Sequence, residues 1–323
     1  MGTLYSIGEV LIDFIPLQKG RALKDVVSFE RAPGGAPANV AAAVAKLGGH
    51  SKMITKLGAD AFGDFLLEKL EETGVDTRHV IRTHEANTGL AFVSLRDDGE
   101  RDFSFYRKPS ADLLLTADEV DESIFEAGDI LHFCSVDLVD SPMKQAHVKA
   151  MQSAKESGAL ISFDPNVRLP LWDSPDACRE TILEFIPKAH IVKISDEELA
   201  FIAGIEDEDK AIASLFVGDV QTVIYTKGAA GATLYVQDIT IDSSGYSVDV
   251  QDTTGAGDAF IGALLYLLLE AGADQKGLSA VLAHHGHSIL AFANAAGAIS
   301  TTGKGAISSL PSKNQIEDML KTP

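Results

Sequence analysis

The run Asp252-Thr253-Thr254-Gly255-Ala256-Gly257-Asp258 stands directly before an apolar stretch, Ala259 to Leu269. Small residues at 255–257 let backbone N–H groups converge at a helix start, where unpaired amides and the helix dipole favour an anion such as phosphate. Asp258 falls in the first turn of that helix. It is either an acid that stabilises the helix start or a base placed to take a hydroxyl proton as a phosphoryl group arrives. A second glycine turn, Pro33-Gly34-Gly35-Ala36-Pro37-Ala38-Asn39, opens the helical stretch Val40 to Leu47. Gly34 and Gly35 permit close approach of a ligand to the backbone. Asn39 offers both a donor and an acceptor to a sugar hydroxyl, or it caps its helix. Asp13, in Glu9-Val10-Leu11-Ile12-Asp13-Phe14, is an acid among apolar residues that requires donors around it, and a sugar could supply them.

Holding such groups in register requires a rigid frame. Apolar runs of strand length alternate with helical patterns, which predicts an α/β fold with a largely parallel sheet covered on both faces. Strands are expected at Leu4–Ile7, Lys52–Lys56, Ile130–Phe133, Leu160–Asp164, Ile191–Ile194 and Thr222–Thr226. Helices are expected at Asn39–Leu47, Asp64–Glu72, Pro142–Ser157, Asp196–Ala203, Gly257–Ala271 and Leu278–Ala296. Two segments depart from this rhythm. Residues 12–31 and 89–107 read as short alternating strands, the second with a turn at Asp97-Asp98-Gly99, and predict a small β-sheet lid or an edge hairpin. With no repeat and no Pro-, Gly- or Ser-rich linker, one domain over 1–323 is expected.

Composition narrows the function. The 323 residues carry 27 basic against 47 acidic side chains, a net charge of −20, which repels nucleic-acid phosphates and anionic membranes. An anionic ligand must therefore be held by local devices. Cys134 and Cys178 lie in no metal-ligand or redox spacing and read as reduced packing residues. The start Met-Gly-Thr-Leu-Tyr-Ser-Ile-Gly-Glu lacks a signal-peptide pattern, and Ala259–Leu269 is well short of the ~20 residues that span a bilayer, so a cytoplasmic protein is expected. His284, His285 and His287 have no carboxylate or fourth ligand nearby in sequence and read as packing or solvent-exposed residues.

Neither a G-x-x-x-x-G-K-[ST] P-loop nor a protein-kinase H-R-D set is present, so a nucleotide site must be of another kind. Five segments together carry a resemblance: Gly8–Phe14, Ala32–Ala41, Phe105-Tyr106-Arg107-Lys108-Pro109-Ser110-Ala111-Asp112, Asp164-Pro165-Asn166-Val167-Arg168-Leu169-Pro170-Leu171-Trp172 and Asp252–Asp258. Over essentially its whole length the chain resembles the ribokinase-like carbohydrate kinases, and among them the fructokinases. The resemblance implies a three-layer α/β/α ribokinase-like fold with a β lid, and ATP with Mg²⁺ as cofactors.

It implies further that Asp13, Gly34, Gly35 and Asn39 hold sugar hydroxyls, with Arg107 and Arg168 bordering the same pocket. Gly255, Ala256 and Gly257 would supply amides to the γ-phosphate, and Asp258 would take the proton of the attacking hydroxyl. In Lys193-Ile194-Ser195-Asp196-Glu197-Glu198 the family's Asn-x-x-Glu element carries Ser195 in the Asn place and keeps Glu198. Thr226-Lys227-Gly228-Ala229-Ala230-Gly231 matches the strand-end nucleotide loop, and Asn294 would flank adenine. Ser300 to Ser309, including Gly303 and Gly305, resembles the loop that cages a monovalent cation such as K⁺ with Asp252 and Thr254, and Lys304 within it is an alternative neutraliser of nucleotide charge. The expected activity is ATP-dependent phosphorylation of D-fructose. A 2-keto-3-deoxygluconate kinase and a non-catalytic sugar or nucleotide sensor are the alternatives, and pairing of exposed lid strands predicts a homodimer.

Overall fold

Five-residue runs of buried residues form the centre of the molecule. In the computed structural model, which describes residues 1–18, 20–95, 101–236 and 238–321, the strands β1 (Thr3–Ile7), β4 (His50–Gly58), β5 (Asp76–Thr83), β8 (Ile130–Cys134), β9 (Leu160–Asp164), β10 (Ile191–Ser195), β11 (Thr222–Thr226), β12 (Gly231–Val236) and β13 (Ile239–Ser244) make one nine-stranded sheet. Its order is β13-β12-β11-β10-β9-β8-β1-β4-β5. Pairing is parallel from β11 through β5, while β12 and β13 add an antiparallel edge. The chain runs outward from β1 to β4 on one side and returns to place β8 on the other. That makes the β1/β8 boundary a topological switch point, with a crevice expected beyond the strands' carboxyl ends.

Alternate residues of each strand serve opposite faces. Leu4, Ile130, Leu160, Ile191 and Ile224 pack beneath α1 (Ala36–Lys46), α7 (Ala256–Glu270) and α8 (Leu278–Ser300). Tyr5, Leu131, Phe133, Ile161 and Phe163 face α3 (Pro142–Ser157), α4 (Pro175–Phe185), α5 (Asp196–Ala203) and α6 (Glu208–Ser214), with the Phe133 and Phe163 rings stacked at 4.6 Å. The parallel core thus has helices on both sides. The remaining α-helices among the described residues are α2 (Ala61–Thr73) and α9 (Lys313–Lys321).

Helix α7 is buried nearly all round, and α1 presents Ala38, Ala41, Ala42 and Ala43 as its packing surface. A Cβ added to Gly262 would lie 2.5 Å from that of Ala43, so the two helices approach as closely as small residues permit. This packing brings the first turn of α1 beside the first turn of α7.

A second sheet of four strands, ordered β3-β2-β6-β7, stands apart from the first. It consists of β2 (Leu11–Pro16), β3 (Phe29–Gly34), β6 (Leu90–Leu95) and β7 (Arg101–Tyr106), supplied by the two segments whose alternation suggested a small sheet. The Phe14, Phe29, Phe92 and Tyr106 rings pack together on it, and Tyr106 is exposed. The expected turn at Asp97-Asp98-Gly99 lies outside the described residues. Both cysteines are free and buried, and His284, His285 and His287 are exposed on α8. No helix among the described residues is long and apolar enough to cross a membrane.

Candidate active site

A cavity of ≈ 830 Å³ opens at the carboxyl ends of the parallel strands, and residues from both sheets line it. Glu9 enters after β1, Asp13 from β2, Asn39 from α1, Arg168 after β9, Lys193 from β10 and Asp258 from α7. Its size suits a small ligand held by a few convergent polar groups.

Local sequence dictates how α7 begins. Gly255 has φ +78°, and a Cβ there would lie 2.6 Å from that of Ala306, so only glycine fits. The helix has no side-chain cap. The first-turn N–H groups of Gly257 and Asp258 have no intrahelical carbonyl to serve, and Gly257 itself faces the cavity. One turn of helix therefore combines amide donors with a carboxylate.

Asp258 is buried, and its Oδ2 accepts a 2.8 Å hydrogen bond from Asn39 Nδ2. Burial raises its pKa above the ordinary aspartate value, and the Asn39 hydrogen bond, Lys193 and Arg168 moderate the rise. Asn39 Oδ1 is buried without a protein partner while the residue lines the cavity, which leaves an acceptor for a ligand hydroxyl. Gly34 is held so close to Asp13 that a Cβ would lie 2.1 Å from its Oδ2. Gly35, at φ +107°, crosses the Glu9 carbonyl, with 2.3 Å left for a Cβ. Gly35, Asp13, Asn39, Arg168 and Asp258 thereby line one cavity, while Gly34 backs Asp13 and is not among the lining residues.

Lys193 stands beside the start of α7. Its Nζ is 2.9 Å from Asp164 Oδ2 and 3.3 Å from where a Cβ on Gly257 would stand. Burial opposes its charge, but Asp164, Glu198 and Asp258 outweigh burial and keep it protonated. Ser195 and Glu198 form the capping box of α5, in which Glu198 Oε2 accepts from the Ser195 amide and hydroxyl, while Oε1 accepts from the Val167 amide. Burial works against the Glu198 charge, yet Lys193 and these donors hold its pKa below the usual value. A half-buried carboxylate in ionised form thus stands beside a buried ammonium.

Several of the expected residues lie outside the cavity lining or have their polar groups engaged elsewhere in the protein. Arg107 was expected to border the pocket, but its guanidinium is buried between Asp112 and Asp137 and is not among the lining residues. The physical reason is charge balance, because two buried carboxylates demand a cation at that place. Asn294 was expected beside adenine, whereas its amide donates to Ser243 and Ser244 and ties α8 to β13. Thr226, Gly228 and Gly231 follow one strand over from Ser195 and also lie outside the cavity lining. In the loop proposed for a cation, Ser300 Oγ donates to the Gly297 carbonyl, and Ser309 Oγ to those of Gly305 and Ala306. Those two hydroxyl protons are committed locally. Asp252 joins the loop to the anion-binding turn, its Oδ2 accepting from Gly305 N–H at 3.0 Å and its Oδ1 from the amide and hydroxyl of Thr254.

Two carboxylates escaped the sequence reading of the site. Glu9 lines the cavity and accepts from the Ala36 amide at 3.0 Å, and Asp164 is the buried counter-ion of Lys193. Each is an acid at the end of an apolar strand, the same signal that singled out Asp13.

The pfkB family carbohydrate kinase model matches residues 1–313. Among curated proteins, the chain is 43% identical over 319 residues to probable fructokinase-4 of Arabidopsis thaliana, covering 98% of this chain and 96% of that protein. Among solved structures, the fructokinase of Xylella fastidiosa with bound ATP superposes with a TM-score of 0.89 at 35% identity, covering 99% and 98% of the two chains. The fructokinase of Vibrio cholerae O395 in its fructose, ADP and calcium ion bound form gives 0.87 at 35% identity, covering 99% of each. With glycine turns, a buried aspartate and a parallel-sheet crevice already in place, the chain belongs to the pfkB family of carbohydrate kinases.

Proposed function

We propose that the protein transfers the γ-phosphoryl group of ATP to the primary hydroxyl at C6 of D-fructose. The observation that carries this reading is the position of Asp258, a buried carboxylate at an uncapped helix start that lines the cavity between Asn39 and Lys193. The fructokinases of similar sequence and structure supply the choice of sugar.

In this reading Asp13, the Gly34-Gly35 backbone, Asn39 and Arg168 orient the sugar. The Asp258 carboxylate takes the proton of the C6 hydroxyl as its oxygen bonds to the γ-phosphorus and the bond to ADP breaks. Charge on the transferring group is met by the Gly255–Gly257 amides and Lys193, with the exposed Lys304 at the cavity mouth. Thr226, Gly228 and Gly231 border the nucleotide's outer end. Mg²⁺, when bound, neutralises the polyphosphate, and Glu198 suits a contact through water because few protein carboxylates are needed when phosphates complete the shell. A monovalent cation fits between Asp252, Thr254 and the carbonyls of the 303–309 loop. A second copy of the chain covers the small sheet through exposed Tyr106 and its ring cluster.

Sequestration of Arg107 also weighs against a sugar acid as substrate. A carboxylate entering the cavity would meet Arg168 while facing Asp13. ADP release measured with fructose, ribose, glucose and 2-keto-3-deoxygluconate tests the reading; fructose should give the highest kcat/KM, and ADP release with none of the four would refute it.

A further inference from the structure

Glu9 has contacts on two sides that the proposed reaction does not yet use. It follows β1 at the switch point, is 3% exposed, and touches the sugar-side turn twice: its Oε1 holds the Ala36 N–H at 3.0 Å, and its carbonyl limits residue 35 to glycine. Ala36 is the first residue of α1, a helix with no side-chain cap from Gly35, and one turn later Asn39 holds the Asp258 carboxylate at 2.8 Å. On its far side, Glu9 feels the charges of Arg107 and Asp137. Arg107 directly follows β7 of the small sheet, and Asp137 follows β8 of the large one. Glu9 therefore lies between the ion cluster that fastens the two sheets and the helix that carries the Asp258 partner.

We propose that Glu9 is a positioning residue for phosphoryl transfer, which fixes the first turn of α1, and through Asn39 the Asp258 carboxylate, relative to the sheet junction held by Arg107. This rests on the reading of Asp258 as the base. The link is geometric rather than ionic. One guanidinium faces three buried carboxylates, Glu9, Asp112 and Asp137, and their full ionisation would leave excess negative charge in a region of low dielectric. Burial first, then Asp137, pushes Glu9 well above the usual carboxylate range. What Glu9 must supply is an acceptor oxygen at the right reach for the Ala36 amide.

The test compares length with charge in the full-length enzyme. Glu9→Gln keeps the reach and the acceptor, so its fructose kcat/KM should stay within about threefold of wild type, the weight of a modest hydrogen-bond difference. Glu9→Asp keeps the acid but is one methylene shorter. It should lose between about tenfold and a hundredfold in fructose kcat/KM, as expected for a displaced catalytic group, with the KM for ATP nearly unchanged. It should also move the acid limb of the pH profile upward, because Asp258 loses part of the Asn39 hydrogen bond that favours its ionised form. A Glu9→Asp enzyme with a lower melting temperature but an unmoved acid limb would reduce Glu9 to a structural residue, and Glu9→Gln falling as far as Glu9→Asp would overturn the acceptor argument. If Glu9→Asp does not fold, Arg107→Lys decides, since a single ammonium cannot bridge Asp112 and Asp137 as a fork does; it should move the same limb upward, and an unmoved limb overturns the proposal. Full turnover by Asp258→Asn would instead defeat the assignment of the base, so the two failures are distinguishable.

Discussion

At the scale of single residues, the proposed chemistry rests mostly on Asp258. Replacement by Asn keeps the volume and the contact with Asn39 but removes the base, so kcat should fall by at least ~10²-fold while fructose binding persists; calorimetric titration beside turnover separates the two. The pH dependence has a defined sign. Asp258 acts as carboxylate, burial raises its pKa, and activity must fall on the acid side with a midpoint above that of an ordinary aspartate. Asn39→Ala removes a hydrogen bond that stabilises the ionised form, so the midpoint should move to still higher pH. A midpoint that moves down or stays fixed contradicts this coupling. Asp258 and its glycines were legible in sequence because the whole device is contiguous, from Asp252 to one helical turn later. Arg107 was not, because its partners Asp112 and Asp137 are drawn together only by the fold, and nothing local to Arg107 distinguishes a buried ion pair from a pocket arginine.

At the scale of elements, the site depends on how closely α1 and α7 pack. Gly262→Val would press a branched side chain into Ala43, costing about 1–3 kcal/mol by overpacking and separating Asn39 from Asp258. Denaturant unfolding should show the first effect, and a kcat loss of roughly tenfold the second; lower stability with unchanged kcat would mean that the helix ends do not share the strain. The loop of residues 303–309 gives a second prediction. Asp252 closes it onto the helix start, so K⁺ should raise activity above that in tetramethylammonium at equal ionic strength by ordering oxygen donors around the anion-binding turn. Identical rates in the two salts would exclude a cation site there. The parallel core strands were readable as short apolar runs because both of their faces are buried. By contrast β5, α4, α6, α9 and the β12–β13 edge were missed, β5 because none of its residues is fully buried, the helices for their mixed or polar composition and the edge because half of β13 faces solvent.

At the scale of the whole molecule, two sheets meet over a switch point and create one cavity, which the proposed function divides between sugar and phosphate. The net charge of −20 makes the long-range field unfavourable for ATP, so oriented amides and the buried Lys193 must supply the local attraction. Both glycine turns stood out in the sequence because each is contiguous, but their juxtaposition at one cavity emerged only from the packing of α1 on α7. Substrate choice is the claim most exposed to test. Equimolar D-fructose and 2-keto-3-deoxygluconate competing for limiting ATP report the ratio of their kcat/KM values directly in the phosphorylated products. Phosphorus NMR of that mixture should show fructose 6-phosphate in large excess; a dominant phosphorylated sugar acid would contradict the assignment of fructose while leaving the carbohydrate kinase in place.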